Sequence, residues 1–184
     1  MKFNETILGK FIYLKCVREI DCEFILSLRL DNRFNQYINE TSHDIDLQKK
    51  WVMEQEKREN DYYFIIHTLD GKSIGTISLY NIDKIKKEGE FGRWICSGSA
   101  IHSLESALLI HEFGFVTIGL NAINTNTISD NKAVVNFHKR FGANIQNNYS
   151  HDPNNSFSFD RGTIYKDDFE KIKLSNYKKL EMLS

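Results

Sequence analysis

The chain has 184 residues, the size of one domain. Hydrophobic residues make up 41% and aromatic ones 12%, enough to bury a core, so the composition is not that of a disordered or low-complexity protein. The 24 Lys and Arg balance 25 Asp and Glu, and no stretch gathers the basic footprint expected for nucleic acid or an anionic membrane.

No segment reaches the ~18 uninterrupted apolar residues of a membrane span. The start, Met1-Lys2-Phe3-Asn4-Glu5, lacks the apolar stretch of a secretion signal, so a cytoplasmic location is expected. Cys16, Cys22 and Cys96 are odd in number and lack zinc-ligand spacing, and the six histidines are scattered. The cysteines read as reduced thiols, and no metal cofactor is expected.

With one proline (Pro153), no Gly/Ser linker and no repeat, residues 1–184 read as a single domain with a helical tail over 166–184. Residues 6–17 predict a first strand, with Phe11 and Tyr13 alternating against Ile12 and Leu14. Asp21 caps a helix running to Leu30, and 32–42 is a polar loop. A second helix opens at Asp44 or Asp46 and runs to about Asn60, with Trp51 and Met53 among many charges. Tyr62–Thr68 is a strand, Asp70-Gly71 a hairpin turn, and Ser73–Tyr80 the returning strand. A charged connection, Asn81 to Lys87, leads to a third strand, Glu88–Cys96. Ser97-Gly98-Ser99 breaks it, and Ser103 caps a helix to about Phe115. A strand over 120–128 follows, then a helix opened by Asp130 and ended by Gly142. Two strands are expected around 143–149 and 156–165. The tail from Asp167 is amphipathic. Its stripe of Phe169, Ile172 and Leu174 suits packing on the domain or on a twin subunit.

The order predicts an α+β fold, a sheet with helices on both faces. A right-handed crossover places strand 120–128 parallel to strand 88–96, with helix 103–115 between them.

The chemistry concentrates in 88–143. A loop of small residues, Ser97 to Ser103, enters a helix and exposes unpaired amides at the positive end of its dipole. That suits a phosphate, and it also describes an ordinary strand–helix turn. Glu105 favours the dipole and opposes a bound anion. Beyond strand 121–128 stands Asn131-Lys132-Ala133-Val134-Val135-Asn136-Phe137-His138-Lys139-Arg140-Phe141-Gly142-Ala143. This run resembles the C-terminal motif of GCN5-related N-acetyltransferases (GNAT). Glu90-Phe91-Gly92-Arg93-Trp94-Ile95 is similar to the family's fourth strand. The branch most resembled contains the ribosomal-protein alanine and amino-sugar acetyltransferases.

The resemblance implies a mostly antiparallel twisted sheet whose fourth and fifth strands splay apart around acetyl-CoA. Backbone at Trp94, Ile95 and Cys96 would pair with the pantetheine arm. The loop Ser99, Ala100, Ile101, His102 and Ser103 would hold the pyrophosphate, and Asn131 would bond the cofactor beyond the splay. The loop departs from the family pattern, because two glycine positions fall on Ser99 and Ile101, and Ile101 cannot take a positive φ cheaply. Glu90 is the expected base for the ammonium proton. His138, where many relatives have Tyr, is the expected acid for the leaving thiolate. Cys96 lies near the cofactor sulfur, which also allows a ping-pong route. Arg29, Asn32, Asn35 and Tyr37 would frame the acceptor. The expectation is an acetyl-CoA-dependent N-acetyltransferase acting on a small amine, a nucleotide-linked amino sugar first. The alternatives are a protein N-terminus as acceptor, or a non-catalytic acyl-CoA-binding domain of the same fold.

Overall fold

The computed structural model describes residues 3–152 and 157–183. The apolar run at 62–66 explains its two-sided architecture. It lies in strand β3 (Tyr62–Thr68), where successive side chains point to opposite faces. Phe64 and Ile66 enter one core cluster, while Tyr63 and Ile65 enter a second on the other face. Helices α1 (Cys22–Leu30) and α2 (Ile45–Glu56) cover the second cluster with Cys22, Ile25 and Val52. Helices α3 (Ala100–Glu112), α4 (Lys132–Phe141) and α5 (Lys166–Leu183) cover the first.

The remaining strands are β1 (Ile7–Leu8), β2 (Ile12–Cys16), β4 (Ser73–Asp83), β5 (Glu88–Cys96), β6 (Ala122–Ile128), β7 (Asn144–Asp152) and β8 (Phe157–Tyr165). They form one eight-stranded sheet in the order β1-β2-β3-β4-β5-β6-β8-β7. Every pairing is antiparallel except β5 with β6, which the crossover through α3 makes parallel. This is the predicted α+β class. Among the described residues, no helix is long and apolar enough to cross a membrane.

Several boundaries differ from expectation for identifiable reasons. The first strand splits into the β1–β2 hairpin because Glu105, buried on α3, accepts the amides of Lys10, Phe11 and Ile12 at 2.6, 2.8 and 3.0 Å. Its charge therefore points at this hairpin, away from the start of α3. Helix α3 begins one turn earlier than expected. Ser99 is its N-cap, the Ser99 amide donates to His102 Nδ1 at 3.1 Å, and Ser103 lies inside the helix. After Glu112 it widens into a π-helical turn (Phe113–Ile118), closed by Gly119 at φ +80°. Asn131, rather than Asp130, caps α4, its Oδ1 accepting the Val134 amide at 3.3 Å. Asp44 caps α2, which stops at Glu56, four residues short of expectation. In α5, Phe169 and Leu180 are buried and Ile172 packs on the core, whereas Leu174 is exposed. Residue 156, the expected start of the last strand, and Pro153 lie outside the described residues.

Candidate active site

Strands β5 and β6 pair only at their beginnings, Glu88–Glu90 against Ala122–Asn124. Beyond that point β5 stays with β4 as far as Cys96, and β6 stays with β8 as far as Ile128. The two strands therefore part, and a cleft of about 380 Å3 runs between them. Ser97 donates its amide to the Ile74 carbonyl at 2.8 Å, so by ladder alternation Ile95 also turns its polar groups to β4. Cys96 is left with its amide and carbonyl on the open side. Ile95, expected among the cofactor contacts, borders the cleft, with its backbone amide and carbonyl turned to β4.

A β-bulge sets which side chains face the cleft. The β4–β5 register shifts between Thr76 and Ser78, and Arg93 adopts φ +47°. One extra residue reverses the alternation. Phe91 and Trp94 both face α3, while Arg93 turns to the α1–α2 side. Its carbonyl accepts from Thr76 Oγ1 at 2.9 Å. Its guanidinium binds both oxygens of Asp61, at 2.6 and 3.0 Å, and lies over the rings of Tyr80, Trp51 and Tyr63. Asp61 and Arg93 thus neutralise each other, which leaves the Glu90 carboxylate to other partners.

Glu90 stands where the strands part. Tyr80, its cross-strand partner, donates its hydroxyl to Oε1 at 2.6 Å, and Asn81 Nδ2 donates to Oε2 at 3.2 Å. Asn81 reaches it from a second bulge, at φ +51°. Burial, then the Glu90 charge, push the Tyr80 phenol above the ordinary tyrosine range. On the opposite wall His138 sits among Phe91, Phe137 and Trp94, with ring centroids at 5.4, 5.7 and 6.1 Å. Burial, helped by nearby His111, lowers its pKa to about 3, so the imidazole is neutral near pH 7. An imidazolium acid is therefore not what this environment holds.

The α3 N-terminus opens beside Cys96. The first helical bond runs from the Ser103 amide to the Ser99 carbonyl, so the amides of Ala100 and Ile101 make no such bond, while the His102 amide faces the Ser99 side chain in a capping box. Ile101 is already helical, so no glycine conformation is needed there. Gly98 is needed for space: a Cβ would lie 2.6 Å from His102 Nδ1. Asn131 borders the cleft, with its Oδ1 engaged in capping.

Of the expected acceptor residues, Arg29 and Tyr37 reach the cleft. Asn32 and Asn35 bond each other at 3.3 Å outside it. Arg29 also lines an adjoining cavity of about 410 Å3 between α1, α2 and the sheet, with Tyr80, Trp51 and Arg93. Tyr80, Asp61 and Arg93 were not anticipated as site residues. Among the described residues, no cluster of His, Cys, Asp or Glu is arranged to hold a metal.

A parallel strand pair that parts over an open edge, leading to the first-turn amides of Ala100 and Ile101, has the geometry to take an extended carrier as an added strand. The chain belongs to the GNAT acetyltransferases: the profile of the acetyltransferase (GNAT) domain matches residues 12–144. It is similar to the apo structure of FdhC, a nucleotide-linked sugar GNAT, at 30% identity and TM-score 0.79, covering 98% of this chain and 99% of that one. A GCN5-related N-acetyltransferase from Brucella melitensis has the same fold at 14% identity and TM-score 0.81, over 97% and 86% of the two chains. So does the spermidine N-acetyltransferase of Vibrio cholerae in complex with CoA and spermine, at 15% identity and TM-score 0.77, over 88% and 99%. A search of curated proteins returns no match.

Proposed function

We propose that the protein is an acetyl-CoA-dependent N-acetyltransferase whose acceptor is the primary amine of a nucleotide-linked amino sugar. One observation carries the reading: the β5–β6 pairing ends at Glu90, so a carboxylate stands where the open strand edge begins. The residues present suit acetyl-CoA. The Cys96 edge fits an extended amide-bearing arm, and the amides of Ala100 and Ile101 fit a pyrophosphate. Bound there, acetyl-CoA supplies an activated acetyl thioester.

The chain's own groups then have distinct tasks. Glu90, fixed by Tyr80 and Asn81, takes the proton that the acceptor ammonium must lose before it can attack. His138, neutral and lodged in an aromatic wall, offers an N–H as a hydrogen-bond donor to developing negative charge on sulfur. The nucleotide-linked acceptor is favoured by the similarity to FdhC, a nucleotide-linked sugar GNAT, and by Arg29. The Arg29 guanidinium is held by Thr41 Oγ1 at 2.9 Å and the Asn39 carbonyl at 3.3 Å, and among the described residues no carboxylate pairs with it. A phosphate group is a natural partner for it. Glu40 and Asp44 also border that cavity, with Asp44 engaged by the α2 amides.

The test is CoA release with acetyl-CoA and a panel of nucleotide-linked amino sugars, free amino sugars and short peptides. Turnover fastest with the nucleotide-linked sugars is the expected result. Preference for peptides would make the protein an N-terminal acetyltransferase, and acetyl-CoA binding without turnover of any amine would make it a non-catalytic binding domain.

A further inference from the structure

We infer that the Tyr80 hydroxyl is a catalytic group that relays the acceptor's ammonium proton to Glu90, an inference that rests on the N-acetyltransferase reading above. Tyr80 lines both the cavity under α1 and α2 and the cleft between β5 and β6, whereas Glu90 lines only the cleft. An amine entering from the α1–α2 side therefore meets the phenol before the carboxylate. The hydroxyl already donates to Glu90 Oε1 at 2.6 Å, and Asn81 holds the other carboxylate oxygen. Room for this contact depends on Gly92: a Cβ there would lie 2.8 Å from the Tyr80 hydroxyl.

The step balances without a co-reactant. One ammonium N–H bond breaks and its proton forms a new O–H bond on Tyr80. The original phenol proton moves to Glu90 Oε1. The nitrogen recovers its lone pair, Tyr80 ends as a neutral phenol, and Glu90 ends as a carboxylic acid that later loses its proton to water. Tyr80 is faced by Glu90 and Arg93 from β5 and by Asp61, which Arg93 neutralises. Arg29 of α1, with Glu40 and Asp44 ahead of α2, borders the same cavity, and His138 of α4 borders the cleft. With its phenol held above the usual range, Tyr80 keeps a proton to pass on.

The test is Tyr80→Phe, which keeps the ring and deletes the relay. At pH 7, kcat/KM should fall about 100-fold with an ordinary amine acceptor. The Kd for acetyl-CoA, measured by calorimetry, should stay within about twofold of the parent, since Tyr80 acts on the acceptor side. The loss should shrink to about threefold or less for an acceptor whose amine is already unprotonated, because no proton then needs removal. Glu90→Gln should behave alike, and the double variant should be no worse than either single one. Full activity in Tyr80→Phe, or an equal loss with the unprotonated acceptor, overturns the relay. Should Tyr80→Phe misfold, Gly92→Ala serves instead; it crowds the hydroxyl and should show the same acceptor dependence, and its absence overturns the relay. If the parent acetylates no amine, the N-acetyltransferase reading fails instead.

Discussion

Two buried histidines should make the fold lose stability on mild acidification. His111 on α3 is 1% exposed, its Nδ1 lies 2.7 Å from the Ala107 carbonyl, and it packs against Phe91, Phe141 and Phe169. Burial lowers its pKa to about 4, and that of His138 to about 3. A histidine with a depressed folded pKa contributes stability above its unfolded pKa of about 6.5 and loses it as pH falls. Between pH 7.5 and 5 the unfolded chain binds one proton at each position and the folded chain almost none, which costs about 2 kcal/mol per histidine, about 4 in all. His67, half-buried and also lowered, adds in the same sense. Urea unfolding across the range in the parent, His111→Leu and His138→Leu measures the effect. Each variant should lose about 2 kcal/mol less than the parent between those pH values. A variant that kept the parent's full slope would refute the claim that its histidine is held neutral by burial.

Glu105→Ala should lower stability by about 3 kcal/mol, since the amides of Lys10, Phe11 and Ile12 lose a charged acceptor; urea denaturation measures it. Arg29→Gln should raise KM for a nucleotide-linked sugar about tenfold. It should leave KM for the free amino sugar and calorimetric acetyl-CoA binding unchanged. An unchanged KM for the nucleotide-linked sugar would remove Arg29 from phosphate recognition.

The strands most readable in the sequence were those with local cues. Tyr62–Thr68 is buried on both faces, and Asp70-Gly71 makes its turn with Gly71 at φ +91°. The features that escaped depend on distant partners. Nothing in residues 6–17 reveals that Glu105, more than 90 residues away, folds them into a hairpin. Ser99 and Ser103 are both competent caps, and His102 Nδ1 on the Ser99 amide distinguishes them. Glu90 and His138 stood out by motif, but their environments did not. Bulges at Asn81 and Arg93 set the register that brings Tyr80 to Glu90 and swings Arg93 away toward Asp61. Bulge positions depend on side-chain packing across strands, which a single sequence does not display.

Amide hydrogen exchange with and without acetyl-CoA reads the strand opening itself. Occupation of the cleft predicts slowed exchange at Cys96, Ala100 and Ile101, with little change in β2 and β3. No change at those amides under saturating acetyl-CoA, or protection confined to another face of the sheet, would contradict the account.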